Sequence, residues 1–138
     1  MSGAAISAGL RSTIWQRAGQ CCEYCRLHEG DALLPHEPDH IVATQHGGKT
    51  AAENLALSCW DCNHVKGPNL SSVDPLTGGI VRLFHPRLDR WTEHFRLEAA
   101  RITGLTPEGR ATVFLLQFNA PERVRQRLFL MAAGRYPL

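Results

Sequence analysis

The sequence lacks any long apolar run, and this absence limits where the protein can act. Its longest uninterrupted apolar stretches, such as Leu128–Ala133, are far too short to cross a bilayer. The segment Met1–Leu10 has no positively charged stretch before a hydrophobic block. We therefore expect no secretory signal, no membrane association and a cytoplasmic location. Internal repeats and low-complexity segments are also missing, which favours one ordinary globular domain over residues 1–138.

Disulfide chemistry is a second absence. The chain has five cysteines, an odd number, and no predicted signal peptide. This combination argues against a disulfide framework. The cysteines therefore need another explanation.

Lysine is absent from residues 71–138, where all ten cations are arginine against six acidic residues. That half carries a net charge of +4, whereas residues 1–70 carry −2. The planar guanidinium grips phosphate with two hydrogen bonds, so an arginine-only half suits a polyanionic partner. A codon bias toward arginine on a solvated surface explains the same pattern, so the charge permits nucleic-acid binding without requiring it.

Local patterns predict short elements joined by marked turns. Apolar spacing and stop signals predict four helices: Ser7–Ala18, Asp61–Lys66, one from the Thr106 cap to about Phe118, and one from Pro121 to just before Gly134. Short apolar runs predict strands at Asp39–Ala43, Asn54–Leu57, Ile80–Phe84, Trp91–Leu97 and Ala100–Thr103, with a further possible strand at Ala32–Leu34. The turn signals His46–Lys49 and Asp74–Gly79 separate several of these elements.

Two cysteine pairs have the spacing of zinc knuckles. Cys22 and Cys25 form one CxxC pair, and Cys59 and Cys62 form the other. Together they predict a closed four-thiolate zinc site with a structural role, because no ligand position is left for substrate. A redox CxxC or buried free thiols are the alternatives. Cys21 breaks the spacing, and we expect it to stay outside the site.

The 33 residues between the two pairs, together with the second pair and the residues that follow it, carry a recognisable string of short motifs. In order they are Asp39-His40-Ile41, His46-Gly47-Gly48, Asn54-Leu55-Ala56-Leu57 and Cys59 to Gly67 with Asn63 inside. This string resembles the HNH endonuclease family over about residues 18–68. The resemblance implies an α+β fold: a zinc-stapled ββα-metal unit of the HNH (His-Me finger) type. An N-terminal helix at about 7–18 and a C-terminal extension at about 74–134, with strands and two helices, would flank it.

The resemblance also implies catalytic roles. His40 would be the general base that activates water, because imidazole titrates near neutral pH. Asp39 and Asn63 would hold a catalytic Mg²⁺ or Mn²⁺, since hard cations prefer oxygen ligands. Asn54 would brace the loop and orient His40 by hydrogen bonding. The family often has histidine where this chain has Asn63, so this sequence is an H-N-N variant.

One lysine at the end of the motif and several basic and aromatic residues beyond it are further candidates for contact with nucleic acid. Lys66, Arg87, Arg90 and Arg96 are predicted nucleic-acid contacts, although lysine near a helix end also complements the helix dipole. Trp91, His94 and Phe95 could stack on bases, but their spacing is more typical of core. We do not expect His64 to bind the catalytic cation.

The function implied by the resemblance is hydrolysis of phosphodiester bonds in DNA, with RNA not excluded. A zinc-stapled nucleic-acid-binding module without turnover is the main alternative. A structural or partner-binding protein that kept the fold is the third. The pairing of Asp39 with His40 favours the enzyme, because a binder needs no base beside a metal ligand. The sequence leaves the biological role and the oligomeric state open.

Overall fold

The computed structural model describes residues 5–138, so Met1–Ala4 of the segment screened for a signal lie outside it. The described chain contains these helices: α1 Ala8–Arg17, α2 Trp60–Lys66, α3 Trp91–His94, α4 Pro107–Leu115 and α5 Pro121–Ala132. Its strands form three antiparallel pairs: β1 Glu37–His40 with β2 Leu55–Ser58, β3 Ser71–Val73 with β4 Ile80–Arg82, and β5 Phe95–Glu98 with β6 Arg101–Gly104. No described helix is long and apolar enough to cross a membrane. The predicted α+β class with a ββα unit is confirmed.

The ββα unit consists of β1, β2 and α2. Strand β2 is buried along its whole length, which its apolar sequence predicts. Strand β1 begins at Glu37 and ends at His40, whereas the sequence predicted Asp39–Ala43. The ladder ends early because the Asn54 side chain, rather than another strand, takes the backbone N–H of Val42.

Helix α1 confirms its prediction closely. The Ser7 hydroxyl accepts the backbone N–H of Leu10 and caps the helix. Ile14 is fully buried against Leu55 and Leu57 of β2. The N-terminal helix therefore covers one face of the ββα unit.

The described chain differs from the sequence prediction in three further places, of which the first lies in the C-terminal extension. Trp91–His94 is a helical turn, and strand β5 begins only at Phe95. The Trp91 indole explains the turn, because it donates to the Tyr24 carbonyl at 2.7 Å and packs on the Phe95 ring, with centroids 5.1 Å apart. Strand β3 was not predicted, and the possible strand at Ala32–Leu34 is absent from the described residues.

One buried cluster joins the extension to the ββα unit. It contains Cys22, Cys25, Cys59 and Cys62 together with aromatic residues of the extension: Phe84, Phe95, Phe118 and Tyr136. The core reading of the aromatic residues is confirmed for Phe95, which is 2% exposed. The extension thus packs directly on the cysteine cluster.

Candidate active site and metal centre

The four paired cysteines lie together under the surface. Their sulfur atoms are all within 4.8 Å of one another, and each residue is buried. Cys21 is outside the group, as expected. Cys22 and Cys25 come from the first knuckle, whereas Cys59 caps α2 and Cys62 lies in its first turn. The fold therefore brings the sulfur atoms of both cysteine pairs together at one site.

The geometry fits zinc. The backbone N–H of Cys25 points to the Cys22 sulfur, and that of Cys62 points to the Cys59 sulfur, each at 3.4 Å. The Cys25 and Cys59 sulfurs are 3.7 Å apart. Zn–S bonds of about 2.3 Å in a tetrahedron place sulfurs about 3.8 Å apart. Burial raises the pKa of the Cys62 thiol well above its usual range, and a bound cation would favour its thiolate form.

A cleft of about 920 Å³ runs beside β1 and α2, and His40, Asp39 and Asn63 all line it. The His40 ring is half-buried, and its Nε2 lies 2.9 Å from the Thr50 hydroxyl. Among the described residues Nδ1 has no hydrogen-bond partner. A ring that donates from Nε2 to Thr50 carries its free lone pair on Nδ1, the form that a base requires. Sequence reasoning missed Thr50, which lies outside the motif string.

Asn54 ties together the loop that carries Thr50. Its side chain accepts from the Val42 N–H and donates to the carbonyls of Val42 and Lys49. It braces the loop, but the hydrogen-bond partner of the His40 ring is Thr50 rather than Asn54. Gly48 is required here because a Cβ atom would lie 1.7 Å from the Val42 oxygen.

Asp39 is buried on the side of β1 that faces α2. The Tyr24 hydroxyl donates to its Oδ2 at 2.7 Å, and the Lys66 ammonium lies 3.1 Å from the same oxygen. Burial raises the pKa of Asp39, although Lys66 and Tyr24 oppose that effect. Sequence reasoning missed Tyr24, which lies inside the first knuckle.

Asn63 lies on α2 opposite Glu37, two residues before Asp39. Its amide nitrogen donates to the Glu37 carboxylate at 3.2 Å, and His64 Nε2 lies 3.3 Å from that same oxygen. His64 also stacks on the Trp60 ring, with centroids 3.9 Å apart. The period of two along a strand would have placed Glu37 on the Asp39 face, so this residue could have been predicted.

The residues predicted to contact nucleic acid divide into two groups by their exposure. Lys66 is 2% exposed because its ammonium pairs with Asp39, and Arg87 is drawn into a part-buried ion pair with Glu23. The Lys66 ammonium and the Arg87 guanidinium are therefore both engaged by carboxylates of the protein itself. Arg90 and Arg96 are exposed, as the prediction requires.

One exposed cation was missed at the cleft. Lys49 lies at its rim, in the loop that Asn54 braces. The signal for it was its position next to the Gly-Gly turn of the motif string. Its exposed side chain is therefore positioned to contact a ligand that enters the cleft.

A hard divalent cation finds suitable donor chemistry in the cleft. Asp39 and Asn63, which line the cleft, offer carboxylate and amide oxygens, the ligands that Mg²⁺ and Mn²⁺ prefer. Glu37 is outside the cleft lining and adds a carboxylate beside Asn63. The Asp39 carboxylate already contacts Lys66 and Tyr24, so a cation would share it with these two groups. The residues fit such an ion by their chemistry.

The fold and site define a small metal-binding ββα domain, in which a four-cysteine centre supports a cleft containing a histidine. Residues 22–69 match the family model described as HNH endonuclease. This segment is therefore an HNH domain, and the resemblance drawn from its motifs is confirmed. An HNH domain implies nuclease activity on nucleic acids. No curated protein and no solved structure matches the chain significantly.

Proposed function

We propose that the protein is a metal-dependent endonuclease that hydrolyses phosphodiester bonds in DNA, with His40 as the general base. The observation that carries this proposal is the His40 ring in the cleft, with Nε2 engaged by Thr50 and Nδ1 without a partner. A binding module without turnover has no need for a histidine held in this way.

The reaction follows from what the side chains can do. A water molecule in the cleft gives a proton to Nδ1 of His40 as its oxygen attacks phosphorus. The bond from phosphorus to the 3′ oxygen then breaks, which leaves a 5′-phosphate and a 3′-hydroxyl once the leaving oxygen is protonated. Thr50 keeps the imidazole in one orientation, and general-base assistance of this kind contributes about 10²–10⁴-fold.

Asp39 and Asn63 would hold a Mg²⁺ or Mn²⁺ ion, with Glu37 close enough to Asn63 to support it. When bound, such an ion neutralises charge on the phosphate and the leaving oxygen. The Tyr24 hydroxyl and the Lys66 ammonium hold the Asp39 carboxylate in place. Asn54 keeps the loop that carries Thr50 and Lys49 in position.

Substrate binding is proposed to rest on exposed cations. Lys49 at the cleft rim, with Arg90 and Arg96 on the extension, would contact backbone phosphates and position the strand without reading its sequence. Losing one phosphate contact should lower the slope of binding against salt by about 1. Lys49→Met should show that change, whereas Arg125→Met, an exposed charge on α5, should not.

The deciding experiment is plasmid nicking with Mg²⁺ or Mn²⁺ by three zinc-loaded proteins. We expect His40→Ala to lose at least about 10²-fold in cleavage rate. The matched control is His46→Ala, an exposed histidine in the loop that follows β1, which should cleave like the wild type. Equal cleavage by all three would remove His40 as the base. Salt-dependent DNA binding by the wild type without cleavage would establish the binding module instead.

A further inference from the structure

The first turn of α5 brings an arginine to the cysteine centre. Arg123 is 6% exposed, and its Nη2 lies 3.0 Å from the Cys62 sulfur and 3.9 Å from the Cys59 sulfur. Its other terminal nitrogen, Nη1, donates to the Leu116 carbonyl at 2.6 Å and to the Gln117 carbonyl at 3.2 Å. Both ends of the guanidinium fork are therefore occupied inside the protein.

The charge of the centre explains why a buried cation lies here. Four thiolates around one Zn²⁺ carry a net charge of −2, and a buried net charge is costly unless it is paired. Arginine remains charged under all physiological conditions, and its planar fork can serve two acceptors at once. Within residues 5–138, Arg123 is the basic residue that contacts these sulfurs.

We infer that Arg123 is the counter-ion of the zinc centre, and that it makes the C-terminal extension part of the machinery that retains the metal. The guanidinium donates to the thiolates of the second knuckle and offsets their charge. The same group holds the end of α4 through the Leu116 and Gln117 carbonyls. Zinc retention and docking of the extension are therefore coupled through one side chain.

A second contact joins the C-terminal part of the chain to the first knuckle. The Tyr136 hydroxyl, beyond the end of α5, donates to the Cys25 carbonyl at 2.7 Å. Each knuckle is thus in contact with a residue from the last part of the chain. The HNH family match ends at residue 69, so Arg123 and Tyr136 both contact the matched segment from outside it.

Arg127 separates direct contact with the thiolates from packing of α5. It lies one helical turn after Arg123, is 3% exposed, and donates to the carbonyls of Ala100 and Phe118 at 2.6 Å. It makes no hydrogen bond to a sulfur among the described residues. Removing Arg127 should therefore disturb the docking of α5 as much as removing Arg123, while leaving the hydrogen bonds from Arg123 to the thiolates in place.

The test measures zinc affinity by competition with a chromogenic chelator on the full-length, zinc-loaded protein. Removing a residue that hydrogen-bonds to a metal ligand typically weakens metal affinity about 10–100-fold. We expect Arg123→Met to weaken zinc affinity by a factor in this range. Arg127→Met should lower the melting temperature but keep zinc affinity within about threefold. Arg125→Met, an exposed arginine of the same helix, controls for loss of a surface charge.

Two further variants keep the test decisive if Arg123→Met does not fold. Arg123→Gln retains a hydrogen-bond donor without charge, whereas Arg123→Lys retains the charge without the fork. A counter-ion role predicts tighter zinc binding by the Lys variant than by the Gln variant. Equal affinity in these two variants, or an equal loss in Arg123→Met and Arg127→Met, would overturn the inference. Neither readout depends on nuclease activity, so the proposed function and this inference can fail independently.

Discussion

Replacing Lys66 by methionine tests the burial of the ion pair beneath the cleft. The ammonium contacts the Asp39 carboxylate at 3.1 Å and the carbonyls of His40 and Ile41 at 3.3 and 3.2 Å. Methionine fills similar volume but leaves Asp39 buried without its cation. Breaking a buried ion pair from one side costs about 3–5 kcal/mol. For a chain of this size, that loss corresponds to about 10 °C or more in melting temperature.

The assay is urea unfolding at saturating zinc, which keeps the metal contribution the same in every variant. Asp39→Asn and the double variant with Lys66→Met complete a cycle. Because the two residues touch, we expect the double variant to lose about 1–3 kcal/mol less than the sum of the single losses. Lys49→Met, an exposed lysine, should change stability by less than about 0.5 kcal/mol.

The opposite result has a clear meaning. If Lys66→Met keeps wild-type stability and the two substitutions add, the buried pair contributes nothing and the reasoning is refuted. If the same variant also weakens DNA binding with a lower salt slope, Lys66 contacts phosphate as its sequence position indicated. Stability and binding therefore separate the two roles of one residue.

Three further outcomes are expected. Thr50→Val should lower kcat about tenfold or more with little change in KM, because the His40 imidazole loses its orienting partner. Thr50→Ser keeps the hydroxyl and should restore kcat, so an equal loss of kcat in the Val and Ser variants would contradict the orienting role of Thr50. Cys59→Ser should release zinc and unfold the domain, since zinc binding contributes about 10–16 kcal/mol in small domains. Metal analysis and circular dichroism measure the two effects, and a variant that stays folded without zinc would count against a structural zinc centre. The two hydrogen bonds from Arg110 hold the pKa of Asp74 below its usual range, so this carboxylate stabilises the fold above about pH 4 and that stability is lost as pH falls further. Asp74→Asn should therefore lower the melting temperature at pH 7 and flatten its decline between pH 4 and 2, and an unchanged acid profile would exclude this role.

The ββα unit and the zinc ligands were predictable because their information is local. The CxxC spacing alone brings the two thiolates of a knuckle toward one metal ion, independently of the rest of the fold. The Ser7 cap and the Thr106 cap with Pro107 at the first position mark helix starts by hydrogen bonds within four residues. These elements were found where the sequence predicted them.

Elements that depend on distant contacts were not predictable in the same way. The run from Trp91 reads as a strand, yet it begins as a helical turn because the indole reaches the Tyr24 carbonyl, far away in sequence. Strand β3 depends on its partner β4, since its sequence has little apolar pattern of its own.

The sequence by itself determined which residues could do chemistry: the four cysteines, His40 with its neighbour Asp39, and Asn63. The tertiary structure decided what each of them touches. Thr50 became the partner of His40, Lys66 was buried against Asp39 rather than exposed, and Arg123 arrived at the thiolates from the far end of the chain. The physical reason is that spacing and periodicity are local properties, whereas burial and charge pairing depend on which distant segments pack together.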